Sequence, residues 1–513
     1  MKNLPRRRLL QAGSLAFARA SLGAPLFIPQ ALASTADRFA AGIASGEPTP
    51  GGVVLWTRLF GADLGDRTIE VTWEVAEDEA FSRIAARGTE PAPAAWAHSV
   101  HAEPAGLRPD RPYWYRFTAL GQRSPVGRTR TAPAPDADAS LRVVIASCQR
   151  YDVGHYAAWR HAAASSPDLV LFLGDYIYET GSPAGRLRPH QGGYVKTLDQ
   201  YRARYAQYKS DPHLQAAHAA APWMVTWDDH EVDNDYAGLQ GQRLQSDFAQ
   251  QRAAAYQAYW EHMPLPHRLK PDLSVRGGSM ALFRRHDWGR LARIHLVDDR
   301  QYRDPQVCPR SNLGGGSNTV SVRECPDLLR PERSLLGRVQ EDWLEQGWDL
   351  ERPWNLLAQQ TLMAPLSWTD PAGPEGGTYW TDGWSGYPGA RQRLLKQVAD
   401  RGLKGVVVLG GDVHANYVAD LRAGDGPVLA TEFCGTSITS TGLPNDRVMG
   451  ARAINPHLHH ARSDERGYVA LELDARGLRA RLEVVQDILD PQSPVTTSAR
   501  FTVDPRSPGV RAA

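Results

Sequence analysis

Three apolar runs, at residues 168–173, 224–227 and 405–409, each give way to a cluster of acids and hydroxyl or imidazole groups. The clusters read Gly174-Asp175-Tyr176-Ile177-Tyr178, Asp228-Asp229-His230-Glu231 and Gly411-Asp412-Val413-His414-Ala415-Asn416. Short uninterrupted apolar runs suit strands buried on both faces, as in a parallel sheet. Such sheets gather functional groups beyond the carboxyl ends of their strands. The clusters are therefore expected to meet in space despite their separation in sequence. A single Asp after a strand is usually a cap or turn residue. Three clusters offering carboxylate, phenol and imidazole point instead to a centre for hard or borderline cations.

The chain has 513 residues, more than one core usually accommodates, so two domains are expected. Its net charge of +1, with opposite charges interspersed, gives no support to a nucleic-acid or anionic-membrane surface. No stretch reaches the roughly 20 apolar residues of a membrane span. At the N-terminus, Arg6-Arg7-Arg8-Leu9-Leu10 precedes an apolar stretch and then Ala31-Leu32-Ala33. Basic region, apolar region and Ala-x-Ala site in that order read as a signal peptide over residues 1–33. Its paired arginines resemble a twin-arginine address, which implies the twin-arginine export machinery as partner and a periplasmic or secreted destination. In an oxidising compartment, Cys308 and Cys325, which flank a Gly/Ser/Asn-rich loop, are the expected disulfide. Closing that loop contributes about 3 kcal/mol in the chain-entropy description. Cys148 and Cys434 have no evident partner.

Residues 38–132 alternate short β-like runs with turn signals, as in Tyr113-Trp114-Tyr115-Arg116-Phe117, and no helical pattern competes. A small β-sandwich of the fibronectin III kind is expected there, followed by a Pro/Ala/Asp-rich linker at 132–139. From 140 to 505 the texture becomes α/β. Strands at 143–146, 169–173, 291–297, 354–358 and 406–409 alternate with helices at 156–164, 198–207, 246–260, 338–350 and 391–401. The stretch 468–501 returns to strand alternation and supplies edge or second-sheet strands.

Asp175 has two carboxylate oxygens and a strand-end position from which to bridge two cations. Tyr178 as a ligand requires a strong Lewis acid, for which ferric iron is the obvious candidate, because the phenol titrates near pH 10. Cys148, at the end of the first α/β strand, can add a thiolate. Asp229 is the better metal candidate of its acidic pair, although Asp228 is also available. His230 is the better proton donor or phosphate contact. Asn234 offers an amide oxygen to a hard cation. Asp412 and His414, two apart, face the same way if their segment is extended. Arg300, in Asp298-Asp299-Arg300, is placed to clamp phosphate oxygens bidentately.

Taken in order, Gly42-Ile-Ala-Ser-Gly46-Glu-Pro, Ser147-Cys148, Leu173-Gly-Asp175-Tyr-Ile-Tyr178-Glu, Trp227-Asp-Asp-His230-Glu, Asp298-Asp-Arg300-Gln-Tyr-Arg303, Leu357-Ala-Gln-Gln360, Gly386-Tyr-Pro388 and Gly410-Gly-Asp412-Val-His414 resemble the PhoD family of alkaline phosphatases and phosphodiesterases. The resemblance implies a calcineurin-like αββα metallophosphoesterase domain behind the β-sandwich, with Fe3+ and Ca2+ as cofactors. Carried over by motif, Cys148, Asp175, Tyr178 and His414 hold the iron. By the same resemblance Asp175, Asp229 and Asp412 would hold calcium, Asn234 would serve as a metal or phosphate ligand, and Arg300 would grip phosphate. Where related purple acid phosphatases carry a further His, this chain has Gln359-Gln360, an amide in its place.

The expected reaction is hydrolysis of phosphomonoesters and phosphodiesters by cation-activated water, without a covalent enzyme intermediate and with His230 assisting the leaving oxygen. A phospholipase D-like phosphodiesterase on the same centre is the alternative. An exported phosphate-binding or adhesive protein holding structural calcium has no use for Tyr178 or His414. No G-x-S-x-G elbow supports a serine hydrolase.

Overall fold

The structure, a computed structural model, describes residues 37–513. The export signal expected at 1–33 lies outside the described residues.

Within Leu169–Phe172 every residue is buried, and alternate side chains enter different cores. Val170 and Phe172 pack outward beneath helices, while Leu169 and Leu171 pack inward against a second sheet. Val406–Gly410 divides in the same way, with Val406 and Val408 outward and Val407 and Leu409 inward. This two-residue period on continuously apolar strands produces two sheets face to face with helices outside. The helices Ala157–Ala164, Leu198–Lys209 and Phe248–His262 cover one outer face. Arg338–Gly347 and Pro388–Asp400 cover the other. The fold is the expected αββα sandwich.

The first sheet has ten strands. At its centre Leu141–Ala146, Leu169–Phe172 and Pro222–Val225 run parallel. The C-terminal strands Arg466–Leu473, Leu478–Val485, Val495–Asp504 and Ser507–Ala512 extend it on one side. The second sheet has seven strands, with Ala292–Leu296, Trp354–Ala358, Val406–Gly410 and Val428–Cys434 parallel. The third acidic cluster therefore follows a strand of the second sheet, while the other two follow neighbouring strands of the first.

The N-terminal region is two-layered, but one of its layers is not its own. Ile43–Thr49 pairs in parallel with Pro222–Val225, so Ile43–Thr49, Gly52–Arg58 and Ser99–Ala102 continue the ten-stranded sheet. Ile69–Ala76, Ile84–Ala92, Pro112–Ala119, Gln122–Arg123 and Gly127–Arg130 form the opposing five-stranded sheet. Ile43, Leu55, Val71, Val75, Tyr115 and Phe117 share the core between the two layers. At the junction Glu47 is buried and ion-paired to Arg284, with His286 at 3.0 Å.

Candidate metal centre

Two glycines let the strand-end loops abut. A Cβ on Gly174 would lie 2.4 Å from Asp228 Cβ, and one on Gly411 would lie 2.3 Å from Ser147 Oγ. Gly174 thus joins the first two clusters, and Gly411 brings the second sheet's loop against Ser147-Cys148. The residues that follow are held in left-handed backbone: φ is 59° at Cys148, 58° at Asp175, 65° at Asp412 and 52° at His414. Non-glycine residues rarely occupy this region, and such strain concentrates at functional sites. Asp412 and His414 therefore do not lie on an extended segment, contrary to the spacing argument; the chain turns at each of them.

The buried Glu231 carboxylate braces the turns. It accepts hydrogen bonds from the backbone N–H of Asp175 (3.0 Å), Tyr176 (2.6 Å) and Asp228 (2.9 Å). Burial, reinforced by Asp175, pushes its carboxyl up to about 8 against those three donors.

Ligand-type atoms of Cys148, Asp175 and His414 all lie within 4.8 Å of one another, as do those of Asp175, Asp229 and His230, and those of Asp228, Asp229 and Asp412. Tyr178 joins the first group: its hydroxyl donates to Asp175 Oδ2 at 2.8 Å and lies 3.2 Å from His414 Nε2. Ser440 Oγ donates to the Tyr178 oxygen at 2.7 Å.

The protein alone leaves this charge arrangement unbalanced. Burial raises the Cys148 thiol well above its ordinary range, and the Asp175 and Asp412 carboxylates add to the effect. Burial likewise raises Tyr178, with Asp175 and Cys148 next. Asp412 and Asp228 are also raised well above normal by burial and by neighbouring carboxylates, Asp229 and Asp175 in both cases, despite Arg300. Asp228 Oδ2 and Asp412 Oδ2 are buried without a hydrogen-bond partner. Oxygen, nitrogen and sulfur donors so arranged fit cations, which reverse each of these shifts and satisfy the unpartnered oxygens. The donors sort into one group of Cys148, Asp175 and His414 with the Tyr178 hydroxyl, and two further groups that share Asp229, one with Asp175 and His230 and one with Asp228 and Asp412.

Two clefts open onto the centre. One, of about 710 Å3, is lined by Arg150, Arg186, Lys196 and Arg243 along with Glu179 and Tyr194. The other, of about 420 Å3, runs from Asp175, Asp229 and Asp412 to Trp368 and Trp380. His230, Asn234 and His414 line both.

The family described as PhoD-like phosphatase matches residues 143–482, and its N-terminal domain matches residues 27–133. The chain belongs to the PhoD-like phosphatase family. Alkaline phosphatase D of Bacillus subtilis (strain 168) is 40% identical over 495 residues, which cover 92% of this chain and 82% of that protein. A solved structure of PhoD superposes with a TM-score of 0.86 at 39% identity, covering 93% of this chain and 92% of the other. The purple acid phosphatase PPD1 of yellow lupin shares the fold, with a TM-score of 0.55 at 13% identity over 90% of this chain and 74% of that one. The chain is accordingly a phosphoric ester hydrolase.

Within this PhoD-like centre Arg300 departs from the expected phosphate clamp. Its side chain is wholly buried and lines neither cleft. Nε is paired with Asp228, Nη1 donates to Asp382 at 2.7 Å, and Nη2 lies 3.9 Å from both Asp229 and Asp412. With Asp299 Oδ1 3.7 Å from Nε, five carboxylates surround it, so its charge is committed to the protein. Asp228 pairs with the arginine through Oδ1, while its Oδ2 stays without a partner and groups with Asp229 and Asp412. Burial opposes ionisation of Asp229, but Arg300, His230 and the Asp235 N–H hold its carboxyl below the usual range.

Gln359 is likewise committed, accepting from Trp384 Nε1 and the Thr361 N–H. Gln360 Nε2 ties Trp227 O, just past a strand of the first sheet, to Val297 O, just past one of the second, while its buried Oε1 has no partner among the described residues. Cys308 and Cys325 form a disulfide, and Cys148 and Cys434 are free and buried.

The sequence argument did not single out Glu179, Asp382 or Ser440. Glu179 Oε2 accepts from His230 Nδ1, and its Oε1 accepts from the Asn234 N–H at 3.3 Å. Its position directly after Tyr178 was a usable signal. Asp382 and Ser440 stand in loops without a motif, and nothing in the sequence marks them.

Proposed function

We propose that the chain is an exported alkaline phosphatase and phosphodiesterase that releases phosphate from small esters for phosphate acquisition. Fe3+ is held by Cys148, Asp175, Tyr178 and His414, and Ca2+ by Asp175, Asp229 and Asp412. The observation that carries the reading is the Tyr178 hydroxyl, set between Asp175 and His414 and beside Cys148, a donor set that calls for a strongly acidic cation. When bound, the ions supply Lewis acidity that activates water and neutralises charge on the phosphoryl oxygens.

The side chains at the cleft floor do the rest. Asn234 offers its amide to a metal or a phosphoryl oxygen. His230, fixed through Nδ1 by Glu179, delivers a proton from its other nitrogen to the departing alkoxide. Arg300 keeps the crowded carboxylates in place from behind.

Export through the twin-arginine route rests on the arginines and Ala31-Leu32-Ala33 of the N-terminus. The disulfide suits the oxidising compartment to which that route leads. Among the described residues no helix is long and apolar enough to cross a membrane.

Two clefts meeting at His230, Asn234 and His414 favour a second reading, a diesterase of the phospholipase D-like kind, because each ester arm has its own cleft. Turnover of matched monoesters and diesters separates the two readings. Metal analysis of the exported protein, paired with its visible spectrum, tests the centre. Iron with calcium and a visible tyrosinate- or thiolate-to-iron absorption is expected. Asp175→Ala is expected to lose metal and turnover together. A colourless, iron-free and active enzyme refutes the roles of Cys148 and Tyr178.

A further inference from the structure

The two clefts differ in chemistry as well as in position. The larger one presents four cationic side chains and few apolar ones. The smaller begins at Asp175, Asp229 and Asp412 and ends at aromatic and aliphatic walls: Trp368, Trp380, Leu366 and Tyr417. Trp368 and Trp380 are both partly exposed, and Trp368 carries the Arg447 guanidinium 4.5 Å from its ring centroid.

The aromatic wall stands on its own support. Trp380 ends the strand Thr378–Trp380, which pairs with Thr319–Ser321 in an isolated two-stranded ribbon. The disulfide Cys308–Cys325 closes the loop that carries the second of these strands. Asn318 Nδ2 donates to Cys308 O at 3.0 Å, and the Cys325 N–H donates to Ser321 O at 3.0 Å. Trp368 N–H in turn donates to Thr378 O at 2.9 Å, so both tryptophans depend on the same ribbon. No part of this assembly supplies a ligand to the metal centre.

An ester whose phosphorus sits at the centre must send its arms along the clefts that open there. A flat ring is stabilised by stacking on indole and by leaving water, whereas a polyol arm gains nothing from such walls. We infer that the Trp368–Trp380 cleft is a subsite for a flat-ringed ester arm, an aryl or nucleobase-bearing alcohol, and that the disulfide-tied ribbon positions it. The inference rests on the phosphodiesterase reading and adds the class of diester that the site prefers.

The experiment compares kcat/KM for bis(4-nitrophenyl) phosphate with that for a diester bearing two glyceryl arms. The pair is measured in the wild type, in Trp368→Ala, in Trp380→Ala and in Trp368→Phe. Differences in leaving-group reactivity cancel when each variant's aryl-to-glyceryl ratio is divided by that of the wild type. Each alanine variant is expected to lower the ratio about ten-fold, the scale of one lost stacking partner, mostly through KM. Trp368→Phe is expected to recover most of it. Reduction of the disulfide in the intact enzyme is expected to lower the ratio in the same direction. A ratio unchanged in both alanine variants overturns the subsite while leaving the phosphoesterase reading intact. An equal fall for both substrates leaves the ratio where it was and overturns the subsite in the same way. A wild type that cleaves neither diester removes the diesterase reading, and the subsite with it.

Discussion

His230 Nδ1–H donates to Glu179 Oε2 over 2.7 Å, and the His230 ring lies 4.1 Å from the Tyr178 ring. The carboxylate fixes one nitrogen and leaves Nε2 as the nitrogen available to the clefts that His230 lines. Burial disfavours the imidazolium, but Glu179, then Asp175 and Asp229, raise the group well above its ordinary range. Cations held by Asp175 and Asp229 would screen two of those three carboxylates, which leaves Glu179 as the persistent partner. Glu179→Gln is therefore expected to lower kcat about ten- to hundred-fold with little change in KM. Steady-state kinetics check this, and an unchanged kcat means that His230 needs no orienting partner.

Arg300 separates a structural role from a substrate-binding one. Removing a buried charge partner from among Asp228, Asp382, Asp229 and Asp412 leaves carboxylates uncompensated. Arg300→Met is expected to destabilise the metal-free protein by about 3–5 kcal/mol, read by chemical denaturation. Arg300→Lys is expected to recover little, because a single ammonium cannot reach both Asp228 and Asp382 as the guanidinium fork does. A residue that only clamped phosphate would show wild-type stability and a raised KM instead.

Acid is expected to weaken the join between the N-terminal strands and the helix Phe248–His262. His101, on the strand Ser99–Ala102, hydrogen-bonds Leu265 O at 2.7 Å and stacks on Trp260 with ring centroids 3.8 Å apart. Burial drives its imidazole down from 6.5 to about 3. The unfolded chain thus takes up this proton first as pH falls. The contribution to stability is whole above pH 6.5 and is lost as the pH falls towards 3, at about 1.4 kcal/mol per pH unit. Other buried histidines add to the wild-type slope, so the useful measurement is a difference. His101→Phe is expected to lose stability less steeply than wild type between pH 6.5 and 4, and equal slopes in thermal melts refute the assignment.

The strand ends were legible because an apolar run and the acid after it are adjacent in sequence, as with Leu169–Phe172 and Asp175. The strand–helix alternation likewise announced the layered α/β class. Which sheet a strand joins is a matter of pairing between distant segments. Hence the sequence did not reveal that Asp412 arrives from the opposite sheet, or that Ile43–Thr49 extends the sheet of Pro222–Val225. Arg300 was placed correctly beyond a strand, but its partners Asp228 and Asp382 lie 72 and 82 residues away, and composition cannot say whether a guanidinium faces substrate or protein. The turns at Asp412 and His414 were missed because left-handed backbone is read from glycine, and these residues are held there by their surroundings.

Lys209 is a buried amine with no counter-charge beside it among the described residues. Its amine has no hydrogen-bond partner and lies 4.2 Å from the Trp56 ring centroid and 5.0 Å from that of Tyr176, the residue after Asp175. Ring faces attract an ammonium by about 2 kcal/mol when it is desolvated, which falls short of the several kcal/mol required to bury it unpaired. Burial accordingly lowers this amine well below its ordinary range, and the neutral form forfeits the cation–π attraction as well. Methionine has nearly the same length and no polar hydrogens to satisfy, and sulfur packs favourably against aromatic rings. Lys209→Met is expected to stabilise the protein by about 1–2 kcal/mol at neutral pH, seen as a higher midpoint in denaturant. A lower midpoint would mean that the amine stays charged and that Trp56 and Tyr176 hold it there, tying the N-terminal strands to the metal-binding turn through a cation.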